Sequence, residues 1–163
     1  MTRFIAPLVA FLLGGPALAL SCLPRDAPYL YQQADAAEAA YVVVHGRLTF
    51  DESRLPRANA EDQSDSETRL PARFTGKALS REGFVVPFDR PITLVVECFG
   101  VWCPSPESGT EHLAFLRRRD GGHDLVLDPC GGMALSAPSR EQRDRIVQCF
   151  RGGPCVSEVP GRR

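Results

Sequence analysis

Six cysteines, Cys22, Cys98, Cys103, Cys130, Cys149 and Cys155, constrain this 163-residue chain more than any other feature. An even number of thiols in an oxidising compartment reads as a set of bridges; in a reducing one, the same residues would read as metal ligands or redox groups. No two are spaced C-x-x-C, so a zinc ribbon and a thioredoxin-type centre both lack their pattern. Trp102-Cys103-Pro104 has the opening of a redox motif, but Pro106 stands where its second thiol belongs. Three disulfides are therefore expected, and spacing alone leaves fifteen pairings open.

The amino terminus points to the compartment. Arg3 precedes the apolar run Phe4 to Leu13, Gly14-Gly15-Pro16 breaks any helix, and Ala17-Leu18-Ala19 provides the small residues a signal peptidase requires. Residues 1–19 are thus expected to be a removable secretion signal, with the mature chain starting at Leu20. The apolar run is half the roughly twenty residues a membrane-crossing helix needs, so no stable transmembrane segment is expected. A lesser alternative makes Cys22 a lipid-modified first residue, although Ala19-Leu20-Ser21 departs from the usual leucine-then-small pattern. The protein is expected to be exported, either periplasmic or secreted.

Without Arg3, eighteen Lys and Arg face twenty Asp and Glu, a formal charge of −2. No basic excess draws the chain to nucleic acid, and Arg117-Arg118-Arg119 is short enough to be a solvated hairpin end. Residues 20–163 suffice for one domain with its own core, which the bridges would reinforce.

From Tyr41 to Phe50 the chain alternates: Val42, Val44, Gly46, Leu48 and Phe50 lie on one face, and Tyr41, Val43, His45, Arg47 and Thr49 on the other. This is a strand with one buried face, and Gly46 marks a bulge or bend. Alanine-rich Gln32 to Ala40 reads as a short helix before it. Segment 51–71 is polar and acidic and reads as a long mobile loop, without the D-x-D-x-D-G ladder of a calcium site. Further strands are expected at Arg73 to Ser80, Phe84 to Phe88, Ile92 to Cys98, His112 to Arg119 and Asp124 to Asp128. Asp120-Gly121-Gly122-His123 forms a hairpin turn. Ser139 and Gln142 make a capping box for a terminal helix striped by Ile146, Val147 and Phe150 and stopped by Gly152-Gly153; residues 156–163 would be a frayed tail. Five or six strands in meander order with one C-terminal helix predict a mainly β protein, a small closed barrel of OB-like size.

Catalytic patterns are lacking. There is no G-x-S-x-G, no phosphate-binding glycine loop and no dinucleotide fingerprint, so neither enzyme chemistry nor a cofactor is expected. His45, His112 and His123 are scattered without paired ligand spacing and read as strand or turn positions rather than metal ligands.

Leu20-Ser21-Cys22-Leu23-Pro24 resembles the amino-terminal C-x-C-x-P segment of the tissue inhibitors of metalloproteinases, with Leu20 in place of the first cysteine. The strand Tyr41 to Phe50, the Cys103 segment after Ile92 to Glu97, the strand His112 to Arg119, and Leu127-Asp128-Pro129-Cys130 match in the same order. The resemblance implies a netrin-like OB barrel and a bridge Cys22–Cys130, which on the chain-entropy model would stabilise by roughly 4 to 5 kcal/mol. Cys103 stands where that family pairs its first cysteine; with Leu20 lacking sulfur, Cys98–Cys103 and Cys149–Cys155 are the implied remainder.

In those inhibitors the first residue ligates a protease's zinc through its α-amine and carbonyl oxygen, and an α-amine with a pKa near 8 can give up its proton to a metal. The resemblance therefore implies a non-catalytic binding module for an extracytoplasmic protein, of metalloprotease class. Its ridge would comprise Leu20, Ser21, Cys22, Leu23 and Pro24 with the loop Trp102-Cys103-Pro104-Ser105-Pro106. Trp102 suits either partner contact or a cap on the barrel. Two alternatives compete: a metal-binding or enzymatic exported protein, and a structural envelope protein without inhibitory activity.

Overall fold

Strand β1 (Tyr41–Phe50) has the bounds its alternation predicts, and the rest of the sheet is built outward from it. In the computed structural model, which describes residues 20–58 and 64–158, β1 is preceded by α1 (Ala27–Ala36). It is followed by β2 (Ser66–Ser80), β3 (Gly83–Cys98), β4 (Glu111–Arg119), β5 (Gly122–Leu127), β6 (Ala134–Ser136) and α2 (Arg140–Phe150). The expected signal, residues 1–19, lies outside the described residues.

The protein is mainly β. Hydrogen bonding runs from β1 through β2, β3, β5 and β4 and back to β1, a ring of five strands in which only β3 and β5 are parallel. β6 pairs with Leu113 and its neighbours, on the stretch of β4 before the part that β5 uses. Alternate residues from every strand of the ring meet in one core, including Leu48, Phe74, Leu94, Leu116 and Leu125. The other face of β1 and β4 is also covered: Val43, Leu113 and Phe115 pack against Ala27 and Leu30 of α1 and Ile146 of α2. The one-face reading of β1 is corrected here, because two helices take the place of solvent.

Gly46 lies directly opposite Gly76. A Cβ on either would come within 2.3 Å of Thr75 O or 2.2 Å of His45 O, so β1 and β2 approach closely at this point only because both residues lack side chains. The register irregularity lies elsewhere, at Ala78/Leu79.

Several sequence expectations are corrected. The first helix starts at Ala27, not Gln32, because Asp26 accepts the Tyr29 N–H at 2.8 Å and Pro28 pre-sets the first turn; Ala37 is already extended. Segment 51–71 is not a loop throughout: Glu52–Arg54 form a single 3-10 turn and β2 begins at Ser66, while residues 59–63 lie outside the described residues. The two strands expected at Phe84 to Phe88 and Ile92 to Cys98 are one strand of 16 residues. Pro87 and Pro91 are accommodated because β5 pairs only with Thr93 to Val96, leaving that edge of β3 open where a missing N–H costs no ladder bond. Of the tail, residues 156–158 are tethered: the Arg145 guanidinium donates to Val156 O and to Glu158, and the Glu158 N–H donates to Asp26 at 2.7 Å. Residues 159–163 lie outside the described residues.

Asp124 fastens the ring where parallel and antiparallel pairing meet. Its carboxylate is fully buried; its Oδ2 accepts from Arg69 of β2 at 2.8 Å and from Arg117 of β4 at 3.3 Å, and forms an ion pair with Arg119 Nε of β4 at 2.7 Å. Burial pushes the Asp124 pKa up, but the hydrogen bonds from Arg69 and Arg117 outweigh it and hold the carboxyl below its ordinary value. The folded pKa is thus below the unfolded one. The resulting stability is complete above the ordinary value of 3.8 and is lost as pH falls through the lower folded value. Asp124→Asn should cost about 2 kcal/mol at neutral pH, the scale of a charge-assisted hydrogen bond, since the half-exposed guanidiniums can rehydrate. Urea denaturation at neutral pH and near pH 3 checks this: the gap between wild type and variant should shrink in acid.

Candidate functional site

The strip Leu20, Ser21, Cys22, Leu23, Pro24 runs exposed along the protein, with Leu20 at 37% and Leu23 at 58% relative exposure. It is held at two points. Cys22 is bonded to Cys130 with Cα atoms 5.3 Å apart. Three residues on, Arg25 donates to Gly132 O at 2.9 Å and to Asp128 Oδ2 at 3.1 Å. The receiving turn is itself tied down, because Asp128 Oδ1 accepts the N–H groups of Cys130 and Gly132 at 2.7 and 3.0 Å. Gly132, at φ 61°, lies so close to β5 that a Cβ would meet Val126 O at 2.4 Å. Sequence reasoning missed Arg25, whose signal was a lone cation between an exposed strip and a helix cap.

The second half of the expected ridge is a local clasp. Cys98 is bonded to Cys103, and the Phe99 and Trp102 backbones exchange hydrogen bonds of 2.8 and 3.1 Å. Trp102, Cys103 and Pro104 are half-buried, so the indole is neither free nor fully packed. Pro104, Ser105 and Pro106 form one wall of a groove of about 210 Å³ whose other wall includes Asp128 and Pro129. The structure thus brings the proline loop to the turn that carries Cys22 through Cys130. The third bridge, Cys149–Cys155, closes over the end of α2.

At the floor of that groove His112 is buried, at 2% exposure. Thr110 O can only accept, so Nδ1 carries the proton in the 3.2 Å contact between them, and Nε2 is left to accept from Ser136 Oγ at 3.1 Å. Burial pushes the His112 pKa down, only partly opposed by the Thr110 bond, so the ring is neutral. His123 stacks edge-on against Phe88, and His45 lies under α2, half-buried, instead of on an open face. Among the described residues no three His, Cys, Asp or Glu side chains gather in an arrangement able to hold a metal ion, and no helix is long and apolar enough to cross a membrane.

A larger groove of about 790 Å³ opens between α2 and the stretch of β1 and β2 around Gly46 and Gly76. Five cationic side chains line it, those of Arg47, Lys77, Arg140, Arg143 and Arg151, against the carboxylates of Glu82, Glu111 and Asp144. Nothing in the sequence announces it, because its members come from separate parts of the chain.

Comparison with family models, curated proteins and solved structures gives no match. Three disulfides suit an oxidising, extracellular or periplasmic setting. Replacing both Cys22 and Cys130 by Ser opens a covalent loop of sequence separation 108 and should lower stability by about 2–5 kcal/mol. Urea midpoints measure the loss, and limited proteolysis should cut within residues 20–24 sooner than in the wild type.

Proposed function

We propose that this chain is an exported, non-catalytic binding module built on an OB-type barrel of the netrin-like kind, which engages an extracytoplasmic protein through Leu20–Pro24 and the adjoining Pro104–Pro106 lip. Support for the barrel comes from the strand ring, whose order β1-β2-β3-β5-β4-β1 with one parallel pair is that of a five-stranded OB barrel. The observation that carries the binding reading is the exposed strip itself. Leu23 stands out in solvent between the Cys22 disulfide and the Arg25 clamp, so little cost of ordering that part of the strip falls on association.

Within that reading the partner is a zinc protease, with the α-amine and carbonyl of Leu20 as metal ligands once the signal is removed. Leu20 precedes its anchor by two residues and has no bridge of its own, so inhibition should be weaker than a doubly bridged terminus would give. The protein beginning at Leu20, assayed against a panel of zinc proteases, should inhibit at least one, and acetylation of its amine should abolish the effect. Inhibition that survives acetylation would remove the chelation step, and no inhibition at all would remove the protease as partner.

A further inference from the structure

The groove beside α2 takes no part in that ridge. His45 pairs with Lys77 across β1 and β2, so their side chains share one face, and Arg47, two residues along β1, points the same way. Arg143 reaches down from α2, and its Nη1 lies 3.5 Å from His45 Nε2. Three elements therefore direct cationic groups into one space, over the facing glycines Gly46 and Gly76, where the two strands lie closely opposed.

The groove has an excess of two positive charges, five cations against three carboxylates, and few of the cations are held by direct ion pairs. Among the described residues only Arg140 of the five cations forms an ion pair, with Asp144 at 3.6 Å. Arg47 donates to Gly109 O and Arg151 to Arg81 O, both backbone acceptors. Arg143 is half-buried with a neutral imidazole as its neighbour, an unusual setting for a guanidinium whose fork matches oxyanion geometry. Elsewhere on the same helix Arg145 has Glu158 at 3.1 Å. The contrast is local, since the whole chain has a formal charge of −1.

We propose that this groove is an oxyanion site for a phosphate group, with Arg143 and Lys77 as its charge partners and His45 beneath them. His45 faces Arg143 of α2, Lys77 of β2, Glu111 of β4 at 4.0 Å and the Phe84 ring of β3 at 5.8 Å. Burial first, and then Arg143, hold its pKa below the ordinary value, against the pull of Glu111. A phosphate bound beside it adds negative charge and moves that pKa up.

Soluble phosphate esters and anionic lipid headgroups both carry such a group, and two probes separate them. Inorganic phosphate, titrated at constant ionic strength and followed by NMR, should give saturable shifts at Gly46, Gly76 and the Arg143 side chain. Saturation should raise the His45 titration midpoint. Arg143→Gln should weaken binding about tenfold or more, while Arg118→Gln, on the distant β4–β5 hairpin, should leave it unchanged. In the second arm, sedimentation with phosphatidylglycerol vesicles that is lost in Arg143→Gln would assign the group to a headgroup; free phosphate binding without vesicle binding would assign it to a soluble ester. Circular dichroism of each variant shows that it is folded. Absence of saturable shifts together with absence of vesicle binding, or binding indifferent to Arg143→Gln, would overturn the site, and neither result bears on the Leu20 assay.

Discussion

Asp124 is the residue on which the ring's geometry converges. A parallel pair has to be inserted between antiparallel neighbours for the strands to return to β1, and that is where Asp124 sits, opposite both Thr93 and Arg117. A carboxylate taken wholly out of water is unfavourable unless cations meet it, and here they come from β2 on one side and β4 on the other. The clamp therefore spans β3 and fixes how the two halves of the ring close. One oxygen, Oδ1, and Arg117 Nε are buried without a partner, so the cluster holds its place through charge rather than complete hydrogen bonding.

Around this ring the chain fastens its two ends to each other as well as to the sheet. Asp26 caps α1 with one oxygen and receives the Glu158 N–H with the other. Burial disfavours its charged form, but the hydrogen bonds from Tyr29 and Glu158 prevail and keep its pKa low. The beginning and end of the described chain thus share one carboxylate, next to the helix pair that covers β1 and β4. The exposed strip 20–24 leads directly into this fastened base.

Much of this was legible in the sequence where local chemistry decides structure. Alternation gave β1 its bounds, Gly121 at φ 79° makes the hairpin turn, and Ser139 with Gln142 forms the capping box of α2. Where distant groups decide, the sequence was silent. The length of β2 and β3 was hidden by prolines that are harmless only because one edge is open. Alanine content misplaced α1, because the start of a helix depends on its cap. Three-residue β6 has too little pattern to read. The pairing Cys22–Cys130 came with a family resemblance, since spacing left every combination open. The cationic groove could not be seen at all, as His45, Lys77 and Arg143 are brought together only by strand register and helix packing.

The Cys22–Cys130 bond has a topological corollary. All five strands of the ring lie inside the covalent circle it closes, while β6, α2 and the carboxyl-terminal tail lie outside. The circle limits how far the strands of the ring can drift apart even when their packing is lost, but it offers no such restraint to α2. Helix α2 is therefore the part of the outer layer free to peel away, uncovering its share of Phe115 and Leu113, while α1 stays threaded within the circle.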